Sequence, residues 1–207
     1  LTKEQLTPIL LYHVIGAKVK STDLTNGYVT TLSTGPGNKN VSLKVDATNL
    51  ELNGGVGITT ADIEATNGVI HVIDKVLLPP TLVDIALDND NFSILVSALV
   101  KAELVETLQG DGPFTVFAPT NDAFNALFDA LDVTGIADLS KEALTPILLD
   151  HVVSGNVRST DLTTGTVNTL NNSISIDVSS GVKINGDINV VLADVQGTNG
   201  VVHVIDK

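Results

Sequence analysis

The pattern of apolar and polar positions runs through the same two periods twice along the chain. Ile9, Leu10, His13 and Val14 fall on one helical stripe, and from Val19 to Val76 the pattern shortens to alternating segments such as Leu43/Val45 and Leu50/Leu52. Helical spacing returns with Phe92, Leu95, Val96, Leu99 and Val100 at i, i+3, i+4, i+7 and i+8, and with Phe124, Leu127, Phe128 and Leu131. The last third alternates again through Ile174, Ile176 and Val178, then Val182/Ile184, Val190–Val195 and Val201–Ile205. Helix starts are marked chemically. Thr2 to Gln5 reads as a capping box, Thr7-Pro8 as the N-cap and first position of a second helix, and Thr81 as the cap of a third. Between the helical stretches lies Phe114-Thr-Val-Phe117, a short buried strand that Pro119 ends because it has no N–H to donate. Thr120 and Asn121 then offer side-chain oxygens at a helix start, and Asp122 suits the positive end of its dipole. Helices ahead of antiparallel strands predict an α+β fold.

The repetition extends to residue identity. Residues 1–32 align with 139–170 without a gap: Lys3-Glu4, Leu6 to Leu11, His13-Val14 and Ser21 to Thr25 recur as Lys141-Glu142, Leu144 to Leu149, His151-Val152 and Ser159 to Thr163. The offset of 138 there falls to 132 at Thr66/Thr198, so the first copy carries six extra residues (138 − 132), and the loop Ser33–Asn40 is the place for them. Residues 1–80 are therefore expected to be the back part of one repeat and 81–207 a nearly complete second, joined by the stiff Pro79-Pro80. Counterparts of 82–138 do not occur in the first copy. They are expected in a longer parent chain or from a neighbouring molecule.

Three stretches carry a family resemblance. Phe114-Thr-Val-Phe-Ala-Pro-Thr-Asn-Asp-Ala-Phe124 resembles the first signature of the fasciclin domain, an extracellular adhesion module. Thr-Asn-Gly-Val-Ile/Val-His-Val-Ile-Asp-Lys at 66–75 and 198–207 resembles the second, and Leu11-Tyr12-His13-Val14 the helix between them. The resemblance implies a wedge-shaped β-sandwich of short strands with a helical cap, in tandem copies. It implies a non-enzymatic adhesion or matrix-interaction module at the cell surface or outside the cell. The partner would be a cell-surface or matrix protein or polysaccharide, alongside further fasciclin repeats. The alternative is a carrier of a small hydrophobic ligand such as a carotenoid, since some fasciclin relatives bind such molecules. In animal relatives an Asp-Ile pair ahead of the second signature belongs to integrin-recognition motifs, which points to Asp62-Ile63 and Asp194-Val195 as partner-binding residues. The Tyr-His pair, present as Tyr12-His13, carries the same implication, although Asp150 stands in place of the Tyr in the second copy.

Composition narrows the chemistry. A formal charge of −13 opposes nucleic acid and anionic membrane as partners, and no run of 18 apolar residues exists to span a bilayer. The absence of Cys removes disulfides, thiolate zinc and thiol catalysis together. All four His are paired by the repeat, His13 with His151 and His71 with His203, and their apolar surroundings predict neutral core hydrogen-bonders rather than metal ligands. Neither a Gly-x-Ser-x-Gly elbow nor a His-Glu-x-x-His motif occurs, and Asp150 beside His151 points away from it on a helix, so no enzyme and no cofactor is expected. Asp88-Asn-Asp-Asn91 begins like a calcium loop, but Phe92 stands where a ligand belongs and the loop's Gly and Glu do not follow, so a polar gap between helices is expected. Thr120, Asn121, Asp122, His151 and His203 are taken as structural.

Overall fold

The computed structural model describes residues 1–207, which divide into two units, Leu1–Pro80 and Thr81–Lys207. Each is α+β.

In the first unit, helix α1 (Lys3–Tyr12) precedes a five-stranded sheet of β1 (Gly27–Thr34), β2 (Asn40–Asp46), β3 (Glu51–Leu52), β4 (Val56–Ala65) and β5 (Gly68–Ile73), paired in chain order throughout. The capping box forms as expected: Thr2 Oγ1 accepts from Gln5 N, and Gln5 Oε1 accepts from Thr2 N at 2.9 Å. Thr7 and Pro8 do not open a second helix. Pro8 lies inside α1, and the Thr7 hydroxyl donates to Lys3 O at 2.8 Å. Tyr12 projects from the end of α1 into a core of Val41, Leu43, Val45, Leu52 and Leu77.

In the second unit, the helices come first: α2 (Leu82–Leu87), α3 (Ser93–Lys101) and α4 (Val105–Gln109), then strand β6 (Phe114–Pro119), α5 (Asn121–Leu131) and α6 (Lys141–Asp150). The strands β7 (Val152–Ser154), β8 (Gly165–Asn168), β9 (Ser173–Asp177), β10 (Lys183–Ile184), β11 (Ile188–Gln196) and β12 (Gly200–Ile205) follow, giving the sheet order β7-β6-β12-β11-β10-β9-β8. Strands β8 to β12 repeat the order of β1 to β5, and β11/β12 repeat the register of β4/β5, with Val195 opposite Val202 as Ile63 is opposite Ile70. One pairing departs from the antiparallel expectation: β6 lies parallel to β12. The two are far apart in sequence, so a long crossover replaces the hairpin that antiparallel neighbours use.

Alternation sets the layers of this second unit. Phe117, on one face of the sheet, joins Val153, Leu162, Ile174, Ile176, Ile184 and Ile205 in one core, where β6, β7 and β12 fold over β8–β10. Val116, Ala118 and Val202, on the other face, line a hollow with residues of α2, α3 and α4. Strand β12 is thus buried on both faces along its whole length. Thr120 caps α5, accepting from Ala123 N. Asn121 ties that helix to α3: its Oδ1 accepts from Ile94 N at 3.0 Å and its Nδ2 donates to Asp90 O at 2.9 Å. Asp88–Asn91 is the polar gap between α2 and α3, with Asn89 Oδ1 accepting from Asn91 N.

Candidate functional site

Each unit builds the same corner. Strand β4 carries an extra residue between Thr60 and Ile63 relative to β5, and β11 carries one between Leu192 and Val195 relative to β12. The bulges turn the backbone of Asp62 and Asp194 left-handed, at φ +61° and +66°. This aims each carboxylate at the loop that leads into β1 in one unit and into β8 in the other. Asp194 Oδ1 accepts from Ser159 N at 2.8 Å, Oδ2 accepts from Ser159 Oγ at 2.6 Å, and Arg158 stands 3.6 Å away. Asp62 accepts from the amide and hydroxyl of Ser21 in the same way. Burial pushes the Asp194 carboxyl up, but the Ser159 hydroxyl and amide and the Arg158 charge outweigh it and hold the group below the ordinary carboxylate range. The Asp62 carboxyl is lowered chiefly by the Ser21 hydroxyl, then by its amide.

The histidines complete these corners. His203 Nδ1 accepts from Asp194 N at 3.2 Å, so its Nε2 carries the proton and donates to Val157 O at 2.9 Å. His71 bridges Asp62 N and Val19 O likewise. Burial pushes the imidazoles of His203 and His151 down, toward the neutral form. His203 also stacks on Phe117 at 5.5 Å between centroids. The other pair works at the helix ends: His13 and His151 donate from Nδ1 to Ile9 O and Ile147 O, each at 2.8 Å, and His13 Nε2 accepts from Leu77 N. In His13, His71 and His203 both ring nitrogens are engaged with backbone groups, which leaves no lone pair to take a proton from a substrate.

The residues expected to meet a partner are placed unequally. Tyr12 is fully buried, its hydroxyl donating to Ser42 O and accepting from Asn53 Nδ2, each at 2.9 Å. Val195 is also buried, on the helix-facing side of its sheet. These two cannot touch a partner in this fold, because the sheet needs their apolar surface for its core. Asp62 and Asp194 are half-buried behind their Ser partners, His13 is exposed at its helix end, and Ile63 is open to solvent. What the corners display are the short loops they clamp: Thr22 and Asp23 in one unit, Thr160 and Asp161 in the other, all exposed. Sequence reasoning missed Ser21 and Ser159 as the partners of the two Asp. Their recurrence within Ser-Thr-Asp-Leu-Thr was the signal available.

Comparison with known proteins now places the chain among relatives. The Fasciclin domain family matches residues 1–79 and 90–207. Protein sll1483 of Synechocystis sp. is 43% identical over 129 residues, which is 61% of this chain and 71% of that protein. Transforming growth factor-beta-induced protein ig-h3 of Sus scrofa is 30% identical over 208 aligned positions, 98% of this chain but 30% of that protein. Among solved structures, a FAS1 domain pair from the insect cell adhesion molecule Fasciclin I is similar with a TM-score of 0.60 at 23% identity, covering 98% of this chain and 79% of that one.

Proposed function

Because the chain belongs to the fasciclin domain family, we propose that it is a non-enzymatic adhesion module of the cell surface or extracellular space, which binds a cell-surface or matrix protein or polysaccharide. The observation that carries this reading is the corner built twice. Carboxylate, hydroxyl and imidazole stand together, as a hydrolytic site would require, yet the imidazole nitrogens are spent on backbone groups and the carboxylate on holding a loop. A rigid strand that presents a short polar loop suits recognition. Asp62 and Asp194 serve that recognition by position, and Thr22, Asp23, Thr160 and Asp161 supply the contact. The origin of the solved FAS1 pair in an insect cell adhesion molecule is in keeping with it. No helix is long and apolar enough to cross a membrane.

The carrier alternative has less in its favour. The apolar hollow beneath α2, α3 and α4 offers about 20 Å³, the room of roughly one water rather than of a polyene. Attachment of cells, or of extracted surface polysaccharide, to a layer of the purified chain tests the adhesion reading. Replacing Thr160 and Thr22 by Ala, and Asp161 and Asp23 by Asn, which keeps an acceptor for the Arg158 and Lys20 amides, is expected to lower attachment at an unchanged melting temperature. Attachment to the parent chain no better than to a blank coating would refute the function. Attachment indifferent to the four substitutions would refute the loops.

A further inference from the structure

The hairpin of β8 and β9 has a composition of its own within an acidic unit. Residues 81–207 carry seventeen carboxylates against five cations, yet Leu162–Ile176 contains no charged residue and is rich in Thr, Ser and Asn. Alternation along the two strands sorts these residues by face. Val167 and Ile174 form an inward cross-strand pair packed on the core, whereas Thr166 opposite Ser175 and Asn168 opposite Ser173 point outward and are exposed. The side chains of Thr166, Asn168 and Ser173 make no hydrogen bond within the chain. Thr160, Thr163 and Thr164, on the loop that the Asp194 corner clamps, are exposed as well and lead into the same hairpin.

The hairpin is fixed at both ends. At its tip Asp150, the last residue of α6, accepts from Thr169 Oγ1 at 3.1 Å and from Nδ2 of Asn171 and of Asn172, each at 3.2 Å. Thr169 closes the turn: its N donates to Asn172 O at 3.0 Å and its Oγ1 accepts from Asn172 N at 2.8 Å. At the other end Thr164 Oγ1 accepts from Val178 N at 3.1 Å. A face held in this way, with short side chains, loses little conformational freedom when a ligand orders it. The first unit builds its hairpin differently. Tyr12 stands in place of Asp150 and is buried, and the equivalent cross-strand pairs are Tyr28 with Lys44 and Thr30 with Ser42, of which Ser42 is buried.

We propose that the outer face of β8 and β9, continuous with the loop at Thr160, binds an uncharged polysaccharide chain. The inference rests on the adhesion reading above and names the class of partner. Three features favour this occupant. The face offers hydroxyls and amides but no cation, and the cations of the unit are committed elsewhere. Lys101 donates to Ile136 O and Ala137 O, Lys183 lies opposite Asp177, and Lys141, Arg158 and Lys207 pair with Glu103, Asp194 and Asp187. A sulfated or uronate chain would find no counter-charge there and would be repelled by the carboxylates of the unit. A protein partner is disfavoured by composition. Protein interfaces draw their energy from aromatic and Arg anchors and are depleted in Ser, and the hairpin has neither an aromatic residue nor an Arg. The spacing suits a chain of sugar rings. Outward side chains recur about every 6–7 Å along a strand and stand about 5 Å apart across the pair, a grid on the scale of the hydroxyls of successive rings. Leu170 and Val178, exposed at the two ends of the hairpin, add apolar area for ring C–H groups.

Electrophoresis of the full chain through native gels that contain soluble mannan, dextran or hydroxyethyl cellulose tests the proposal, with alginate and heparin as acidic probes. Retardation is expected from at least one uncharged polymer and from neither acidic one. Two variants probe the face: Thr166→Asp with Ser173→Asp, which adds charge, and Thr166→Ala with Asn168→Ala and Ser173→Ala, which removes hydrogen-bonding groups without adding charge. Each is expected to weaken the polymer affinity at least about tenfold, as the loss of two or three hydrogen bonds implies, at an unchanged melting temperature. Retardation by no uncharged polymer, a preference for alginate or heparin, or an affinity indifferent to both variants would overturn the proposal. Cell attachment separates this failure from that of the adhesion reading. Attachment that survives both variants and is abolished by protease treatment of the cells would overturn the polysaccharide and leave adhesion standing, whereas attachment no better than to a blank coating refutes adhesion itself.

Discussion

Replacing Asp194 by Ala probes the corner most directly. The substitution deletes the acceptor of the Ser159 amide at 2.8 Å and of its hydroxyl at 2.6 Å, and it removes the partner of Arg158 at 3.6 Å. Hydrogen bonds to a charged group contribute about 1.5–3 kcal/mol each, so the two bonds together set a gross loss of roughly 3–6 kcal/mol. Backbone at φ +66° adds a further cost of about 1 kcal/mol, because Ala has no polar side chain to hold a left-handed conformation. Water returns part of this, since the Asp194 side chain is 19% exposed. The expected net destabilisation of residues 81–207 is therefore about 3 kcal/mol, on the order of a hundredfold in the unfolding equilibrium. Asp194→Asn keeps one acceptor and the backbone preference, and should lose about half as much. Urea unfolding followed by amide circular dichroism measures both variants, and Tyr fluorescence serves as the internal control because it should not move. A loss below about 1 kcal/mol for Ala, or Asn as damaging as Ala, would show that the carboxylate does not clamp the loop.

Other perturbations separate the parts of the structure. Tyr12→Phe removes a buried hydroxyl that joins Ser42 O and Asn53 Nδ2, and should lower the stability of residues 1–80 by about 1–2 kcal/mol, read from the fluorescence of Tyr28. Lowering the pH should weaken the second unit from about pH 6.5 downward: His203 and His151 have depressed pKa values when folded, so the unfolded chain binds protons first and stability falls with pH. A melting temperature constant between pH 7 and 5 would contradict the neutral, buried state of these rings. Asp194 titrates in the same direction but lower, its stabilisation being present above about pH 3.9 and lost as pH falls through its depressed folded value. Thr120→Ala should cost about 1 kcal/mol through loss of the cap on α5, whereas Thr120→Ser should cost little, as thermal unfolding would show.

Much of this fold was legible in one dimension because its determinants are local or repeated. The capping box of Thr2 and Gln5, the cap at Thr120, the end of β6 at Pro119 and the helical stripes depend on neighbours within a few residues, which the sequence displays directly. The repeat could be read because both copies kept the same residues, and the burial of His203 because apolar neighbours surround it in sequence as well as in space, whereas His13, expected in the core, is exposed at its helix end. Other features depended on contacts the sequence does not display. Pro8 sits inside α1, as its counterpart Pro146 sits inside α6 where no Tyr follows, and the parallel pairing of β6 with β12 depends on residues more than eighty positions apart. The corner needed a bulge to bring Asp194 to Ser159, and a bulge is a mismatch between two strands rather than a property of either. The clearest division lies between Ile70 and Val202. Near-identical segments, Gly-Val-Ile-His-Val-Ile and Gly-Val-Val-His-Val-Ile, are solvent-facing in one unit and sealed in the other. Local sequence dictates that both form an apolar strand beside a turn. Whether its outer face is buried depends on a strand and three helices elsewhere in the chain, because burial is decided by what packs against a residue and not by the residue itself.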